Sequence, residues 1–176
     1  LAVARNQHGA VLLSGGNVLV AGGMNKSWTY ENESLDSVEI FDTGTDTWSE
    51  VTSMNYKRDN INIILMPDSK VFVSNGSWGG NRSYANTCEV YDPGADTWTQ
   101  KSNLIYNRHY HLAELMDSNQ IIAIGGYDYS STGGIVGQTE IYNISSNTWS
   151  VTDSTEKPVV FHTVTKVDSN NILILG

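Results

Sequence analysis

The eleven residues VEIFDTGTDTW (38–48) recur as CEVYDPGADTW (88–98) and again, less strictly, as TEIYNISSNTW (139–149). The tryptophans that end the three copies are 50 and 51 residues apart (98 − 48 and 149 − 98). A second phrase, an apolar segment that ends on glycine, recurs with nearly the same spacing. Its copies are VLVAGG, VFVSNG, IIAIGG and ILILG. Two phrases with one period indicate a repeat architecture.

The composition of each unit favours β-strands. The apolar runs are short, alternating and rich in valine, isoleucine and aromatic residues, which fit a pleated surface. Four such runs occur in each of the first three units, and two more follow at the end of the chain. The predicted units are approximately 8–52, 60–101, 110–152 and a half unit, 161–176. A four-stranded antiparallel sheet repeated about every fifty residues is typical of a propeller blade, which must stack on its neighbours.

The combination of a glycine pair after a strand, a tyrosine or phenylalanine in the next strand and a tryptophan about seven residues later resembles the kelch repeat. This resemblance covers essentially the whole chain and predicts an all-β fold. We expect a fragment of a kelch-type β-propeller, residues 1–176, with about three and a half four-stranded antiparallel blades. Because a propeller ring has typically four to eight blades, we expect the chain to be a piece of a longer protein. As an open arc it should self-associate or unfold easily.

The repeated residues also have physical explanations. The first glycine of each pair is predicted to adopt a left-handed backbone, and asparagine at position 75 is the next most tolerant residue there. The repeated aromatic residues should fill the space between stacked sheets. DTGTDTW and DPGADTW place turn-forming residues between two strands, so we interpret these loops as hairpins and not as calcium sites.

Charge and apolar pattern narrow the range of partners. The net charge is −9, with only 10 lysine and arginine residues, so no basic footprint for nucleic acid is present. No run approaches the length that spans a membrane. The single cysteine, Cys88, stands at a strand position that valine and threonine take in the other units. We therefore predict that it is structural, and we predict no metal, no cofactor and no catalytic residue.

Glycosylation signals leave the localisation undetermined. Five N-x-S/T sequences occur, at Asn25, Asn32, Asn75, Asn81 and Asn143. They favour an extracellular location if they are used. Such matches also arise by chance in a chain rich in asparagine, serine and threonine, so an intracellular location stays open.

Loop lengths predict which side of the sheets binds a partner. The connections between second and third strands are long and carry aromatic residues, whereas the connections on the opposite side are short. Long loops are usually functional or mobile, and aromatic residues are frequent at recognition surfaces. The candidate residues for binding a protein or a glycan are Trp28, Tyr30, Trp78, Tyr84, Tyr127, Tyr129, Arg58 and Arg108. The alternative is that the aromatic residues fold back over the edges of the sheets.

The two arginines also have a structural interpretation. Arg58 and Arg108 each follow a repeated glutamate by 19 residues, Glu39 and Glu89. This constant separation predicts ion pairs between neighbouring blades, because a partly buried guanidinium needs a partner. The functional alternative is that the arginines lie at the rim of the binding side and hold an acidic peptide or a sugar acid.

One catalytic alternative follows from the resemblance. Some kelch-type propellers are similar to galactose oxidase, whose copper site uses two tyrosines, two histidines and a tyrosine–cysteine crosslink. The nearest approach to such a set here is His109, Tyr110 and His111. His111 shares its strand position with Ile61 of the second unit, which favours a packing role. We therefore predict an interaction module and no enzyme, with the oxidase propeller as the alternative.

Overall fold

The computed structural model describes residues 1–25, 34–76, 86–130, 133–168 and 171–176. These residues form antiparallel sheets, and no helix occurs among them. The first sheet contains β1 (Gly9–Leu12), β2 (Val18–Ala21), β3 (Val38–Asp42) and β4 (Thr47–Val51). The second contains β5 (Asn62–Leu65), β6 (Val71–Ser74), β7 (Cys88–Asp92) and β8 (Thr97–Lys101). In both, the strands lie in chain order.

The third sheet adds a feature that the sequence analysis did not predict. Its four main strands are β9 (Leu112–Leu115), β10 (Gln120–Ile124), β13 (Gln138–Asn143) and β14 (Thr148–Ser154). Between β10 and β13, two short strands pair as a separate hairpin, β11 (Tyr127–Asp128) and β12 (Gly134–Ile135). The last two strands, β15 (Thr163–Lys166) and β16 (Ile172–Leu175), pair with each other. The prediction of three four-stranded sheets followed by two strands is confirmed.

The first strands of the sheets lie side by side. β1 contacts β5, β5 contacts β9, and β9 contacts β15. An amide side chain joins two of them, since Asn62 donates to the carbonyl of His111 at 2.9 Å and accepts from the N–H of Ala113 at 3.2 Å. The sheets are therefore blades arranged in series, with the first strand of each on the inner side.

The core lies between neighbouring sheets. One apolar cluster joins Leu19 and Ala21 of the first sheet to Val71 and Val73 of the second. Phe72, which points to the opposite side of β6, packs in a second cluster with residues of the third sheet. Because successive side chains of a strand alternate between faces, β6 is buried on both sides. This agrees with the expectation that each sheet must stack on its neighbours.

The repeated aromatic residues, phenylalanine or tyrosine with tryptophan, pack as predicted. They occupy paired positions on the third and fourth strands, and the two rings are about 5 Å apart in each sheet (5.0, 5.1 and 5.1 Å). Trp98 and Trp149 each donate their indole N–H to a carbonyl at the end of the preceding sheet, that of Thr52 and that of Ser102. These tryptophans therefore connect neighbouring sheets by both packing and hydrogen bonding.

The glycine pairs adopt the predicted left-handed backbone. The first position is Gly22, Asn75 or Gly125, with φ of 65°, 72° and 64°. At the second position, a Cβ added to Gly126 would lie 2.7 Å from the carbonyl oxygen of His109. The backbone of the connection that precedes the first strand therefore approaches too closely for a side chain.

The loops with the DTGTD pattern close as tight turns, as predicted. Asp42 accepts the N–H groups of Gly44 and Thr45 at 2.8 and 3.0 Å. Asp92 accepts those of Gly94 and Ala95 at 3.0 and 3.3 Å. The side chain of each aspartate therefore stabilises its hairpin by accepting backbone N–H groups of the same turn, which explains why the turn is rich in aspartate.

Candidate binding face

Two sets of connections begin and end on one side of the blades, which we call the long-loop face. The connections between second and third strands are 22–37, 75–87 and 125–137, and those that lead into the next first strand are 52–61, 102–111 and 155–162. They share one side because the strands are antiparallel. His109 and Tyr127 form a backbone bridge between the two sets, with N–H to carbonyl distances of 2.8 Å in both directions.

The structure describes four of the eight predicted binding residues. Trp28, Tyr30, Trp78 and Tyr84 lie outside the described residues. Of the remaining four, Tyr127 and Tyr129 lie on the hairpin of the third sheet, and both are half-buried. Their rings are in contact, with centroids 4.6 Å apart. The binding role of these residues stays a prediction.

Arg58 and Arg108 lie under the face and not on it. Both are fully buried (0% exposed). The guanidinium of Arg58 bonds Glu89 at 2.9 Å, and that of Arg108 bonds Glu140 at 2.7 Å. A third pair of the same kind joins Arg5 to Glu39 at 2.6 Å. Each arginine therefore forms an ion pair with a buried carboxylate of the protein.

The observed ion pairs differ from the predicted ones. The predicted pairs between neighbouring blades, Glu39 with Arg58 and Glu89 with Arg108, are wrong. Each arginine pairs instead with the glutamate that follows it in its own sheet, 34, 31 and 32 residues later. The physical reason is that the connection before a first strand folds over the end of the sheet that it enters. The glutamate on the third strand lies beneath it there.

Each pair is also a fixing point for the backbone. The second carboxylate oxygen of Glu89 accepts the N–H of Asn55 at 2.8 Å, and Glu140 accepts that of Ile105 at 2.6 Å. The arginines donate in addition to carbonyls at the left-handed positions, that of Asn75 at 2.9 Å and that of Gly125 at 2.9 Å. The buried pairs thus hold both sets of connections of the long-loop face together.

The electrostatic balance of one pair is visible in its pKa. Burial opposes ionisation of Glu39, but the backbone N–H groups of Ala2 and Val3 and the guanidinium of Arg5 outweigh it and lower the pKa of this carboxyl. The carboxylate therefore stays charged when it is buried. This is the condition under which a buried pair holds its geometry.

Four residues at the start of the inner strands share an unusual backbone. Gln7, Asn60, Tyr110 and Phe161 stand at the same position of successive units and have φ of 53°, 50°, 57° and 55°. Two neighbouring pairs are in contact: the N–H of Asn60 donates to the carbonyl of Gln7 at 2.8 Å, and the ring centroids of Tyr110 and Phe161 are 4.8 Å apart. We call these four residues the inner rim of the long-loop face. It was not among the features predicted from the sequence.

The inner rim and the hairpin tyrosines meet in one aromatic cluster. It consists of His109, Tyr110, Tyr127, Tyr129 and Phe161. Tyr129 is central, with ring centroids 4.6 Å from Tyr127, 5.1 Å from His109 and 6.4 Å from Tyr110. Phe161 is 75% exposed. The sequence signal that could have revealed Phe161 is its spacing of 51 residues from Tyr110 (161 − 110).

The residues of the oxidase alternative have structural surroundings. His111 is buried, and its two ring nitrogens lie 3.3 Å from the carbonyl of Arg108 and 3.3 Å from the hydroxyl of Ser74. Cys88 is buried in the core between the second and third sheets, where burial raises the pKa of its thiol to about 12. No group of three or more potential ligands among histidine, cysteine, aspartate and glutamate is found within the described residues.

The glycosylation signals lie in different surroundings. Asn25 is exposed, Asn143 closes a hairpin turn, and Asn32 and Asn81 lie outside the described residues. Asn75 is 1% exposed, and its side chain bonds the carbonyl of Asn60 and the N–H of Gly76. The folded protein therefore does not present Asn75 for modification.

A model of the Kelch motif matches residues 5–55, which contain the whole first sheet and its buried Arg5–Glu39 pair. The first unit of this chain is therefore a Kelch motif. The second and third sheets repeat the strand order, the glycine position and the arginine–glutamate pair of the matched kelch unit. A search of curated proteins gives no significant match. In the parts of the chain that the structure describes, no helix is long and apolar enough to cross a membrane.

Proposed function

We propose that this chain is a protein-interaction module that binds a partner with its long-loop face. The observation that carries the proposal is the aromatic cluster, in which five rings meet and Phe161 is 75% exposed. Aromatic residues that are fixed by their neighbours provide large contact areas at low cost in conformational entropy. The kelch motif supports the same class of function, since interaction is its common role in the family.

The architecture beneath the face supports this role. The buried arginine–glutamate pairs fix the connections, so the rings of the cluster rest on a rigid base. On the opposite side, the described connections are short turns closed by their own aspartate or asparagine side chains. A partner would find fixed aromatic rings on the long-loop face and compact polar turns on the opposite side.

The test compares the two sides with a partner of the full-length protein. Partners captured by the full-length protein are purified and their dissociation constants measured directly. Tyr129→Ala removes the central ring and is expected to weaken binding by about 2 kcal/mol. Asp68→Ala, in an exposed turn of the opposite side, is the matched control and should leave binding unchanged. Equal affinity of both variants and the wild type would contradict this assignment of the face.

A glycan is the other partner that the sequence analysis considered, and the same variants test it. A glycan array that is probed with the wild type and Tyr129→Ala gives the comparison. The oxidase alternative has a separate test. If the oxidase alternative is correct, the protein with added copper should produce peroxide only in the presence of an alcohol, and His109→Ala should abolish this activity.

A further inference from the structure

We propose that the aromatic cluster recognises a cationic side chain, an arginine on a loop of the partner protein, and that Tyr110 and Phe161 determine this specificity. The inference rests on the proposed interaction function, because it names the chemistry that the long-loop face selects. It stands on three observations: the backbone at the inner rim, the geometry of the rings and the charge of the chain.

The backbone conformation of the inner rim does not by itself require an aromatic residue, because glutamine and asparagine adopt it in the first two sheets. A left-handed backbone is unfavourable for residues other than glycine, and it is an outlier for bulky ones. Asparagine tolerates it well, and Asn60 fills the position in the second sheet. Tyr110 and Phe161 adopt the same φ within a few degrees, 57° and 55° against 50°.

The rings form a surface suited to a cation. Tyr110 and Phe161 lie at 4.8 Å with a tilt of 43°, and Tyr129 meets Tyr110 edge-on at 71°. A cation within about 6 Å of an aromatic ring is attracted to its electron-rich face, and the ring of Phe161, which is 75% exposed, is accessible to one. The protein already has this contact in the second and third blades, since Arg58 lies 5.4 Å from the ring of Tyr56 and Arg108 lies 5.9 Å from that of Tyr106.

The negative net charge of the chain is complementary to a cationic group on a partner. The chain carries a net charge of −9, which attracts positively charged groups over a distance. On the hairpin itself, the half-exposed Asp128 lies between Tyr127 and Tyr129 in the chain, and its carboxylate is fixed by the N–H and hydroxyl of Ser130 at 2.9 and 3.0 Å. Among cationic side chains we choose arginine, because its planar guanidinium stacks on aromatic faces and loses less hydration than an ammonium group.

The first experiment separates arginine recognition from apolar contact. The full-length protein is titrated, by nuclear magnetic resonance, with a short peptide that contains three arginines and with the same peptide in which citrulline replaces them. Citrulline keeps the planar shape and removes the charge. We expect the arginine peptide to bind at least about fivefold more tightly. Equal affinity for the two peptides would overturn the proposal.

The second experiment separates the cluster from the general attraction of an acidic protein. Phe161→Asn and Tyr110→Asn change no charge and introduce the residue that already stands at this position in the second sheet. Each should weaken binding of the arginine peptide at least about threefold, whereas Tyr110→Phe, which keeps the ring, should not. Because Phe161 is 75% exposed, Phe161→Asn should leave the midpoint temperature of thermal unfolding unchanged or raise it. Affinities within twofold of the wild type for both asparagine variants would show that net charge alone attracts the peptide, and the proposal would fail.

The outcomes also distinguish this inference from the proposed function. If Tyr129→Ala loses the natural partner while the arginine and citrulline peptides bind equally, the face is correct and the cationic chemistry is wrong. If the partner binds Tyr129→Ala as it binds the wild type, while the arginine peptide still requires Tyr110, the cationic site stands and the partner binds elsewhere.

Discussion

Arg58 Nη2 lies 2.9 Å from Glu89 Oε1, and both side chains are completely buried. The same contact recurs in the first and third sheets. Each pair joins the connection before a first strand to the third strand of the same sheet. The stability of the blades and the geometry of the long-loop face therefore depend on one repeated interaction.

Glu89→Ala should destabilise the protein strongly. The substitution leaves the guanidinium of Arg58 buried without its carboxylate, and removal of one partner of a buried pair costs about 3–5 kcal/mol. The free energy of unfolding in urea measures the loss. The control is Lys70→Ala, which breaks the solvent-exposed pair with Asp92 at 3.2 Å and should have a much smaller effect. Similar losses for the two variants would contradict the structural role of the buried pair.

Gly126→Ala should also destabilise the protein, for a reason of backbone geometry. Gly126 has φ of 99°, and a Cβ there would lie 2.7 Å from the carbonyl oxygen of His109. We expect a loss of about 2 kcal/mol or more in the free energy of unfolding. In Gly15→Ala, the matched control, an added Cβ meets no atom within 4 Å. Its free energy should change by less than about 0.5 kcal/mol.

The repeat made most of the fold predictable from the sequence. All fourteen strands expected from the alternating runs are present, because copies that are about fifty residues apart reinforce one weak pattern. The hairpin of β11 and β12 was missed since each strand has only two residues and lies in a glycine-rich segment. Such short strands show no alternation that a sequence could reveal.

The site was less predictable, for two physical reasons. Glu39 has an arginine on either side in the chain, and a constant separation does not decide which one it pairs with; the path of the connection over its own sheet decides it. The inner rim was missed because its members share a backbone conformation and no side-chain chemistry. A left-handed φ at glutamine, asparagine, tyrosine and phenylalanine has no signature in the sequence.

Trp98→Ala should weaken the contact between the first and second sheets. The indole of Trp98 packs on Tyr91 at 5.1 Å and donates to the carbonyl of Thr52 in the preceding connection. We expect a loss of about 2–3 kcal/mol, below the range for fully buried tryptophan because Trp98 is half-buried. Thermal unfolding by circular dichroism gives the comparison. Trp48→Ala is the matched control, since Trp48 is 37% exposed, and an equal or larger effect there would contradict the interpretation.

The protein should become less stable as the pH is lowered, because His111 is buried as a neutral imidazole. Its Nδ1 faces the carbonyl of Arg108, which only accepts, so Nδ1 carries the proton and Nε2 accepts from the hydroxyl of Ser74. Burial, with the nearby Arg108 guanidinium as a further cause, lowers the pKa of His111 to about 3. In the unfolded chain the pKa is about 6.5, so the unfolded state binds the additional proton first.

The free energy of unfolding should therefore be unaffected by His111 above about pH 6.5 and should decline as the pH falls from there toward about 3, by at most about 1.4 kcal/mol per pH unit from this one group.

His111→Ile introduces the residue that stands at the same position in the second sheet, Ile61, and removes the titrating group. The variant should be less stable than the wild type at pH 7, because the hydroxyl of Ser74 and the carbonyl of Arg108 lose a partner, but its stability should depend less on pH. Burial also lowers the pKa of His162, so part of the dependence should remain. Urea unfolding at pH 7, 6, 5 and 4 measures both slopes, and His8→Ile, at the exposed copy of this position, is the control. Parallel slopes for the wild type and His111→Ile would mean that His111 is not the buried group that responds to acid.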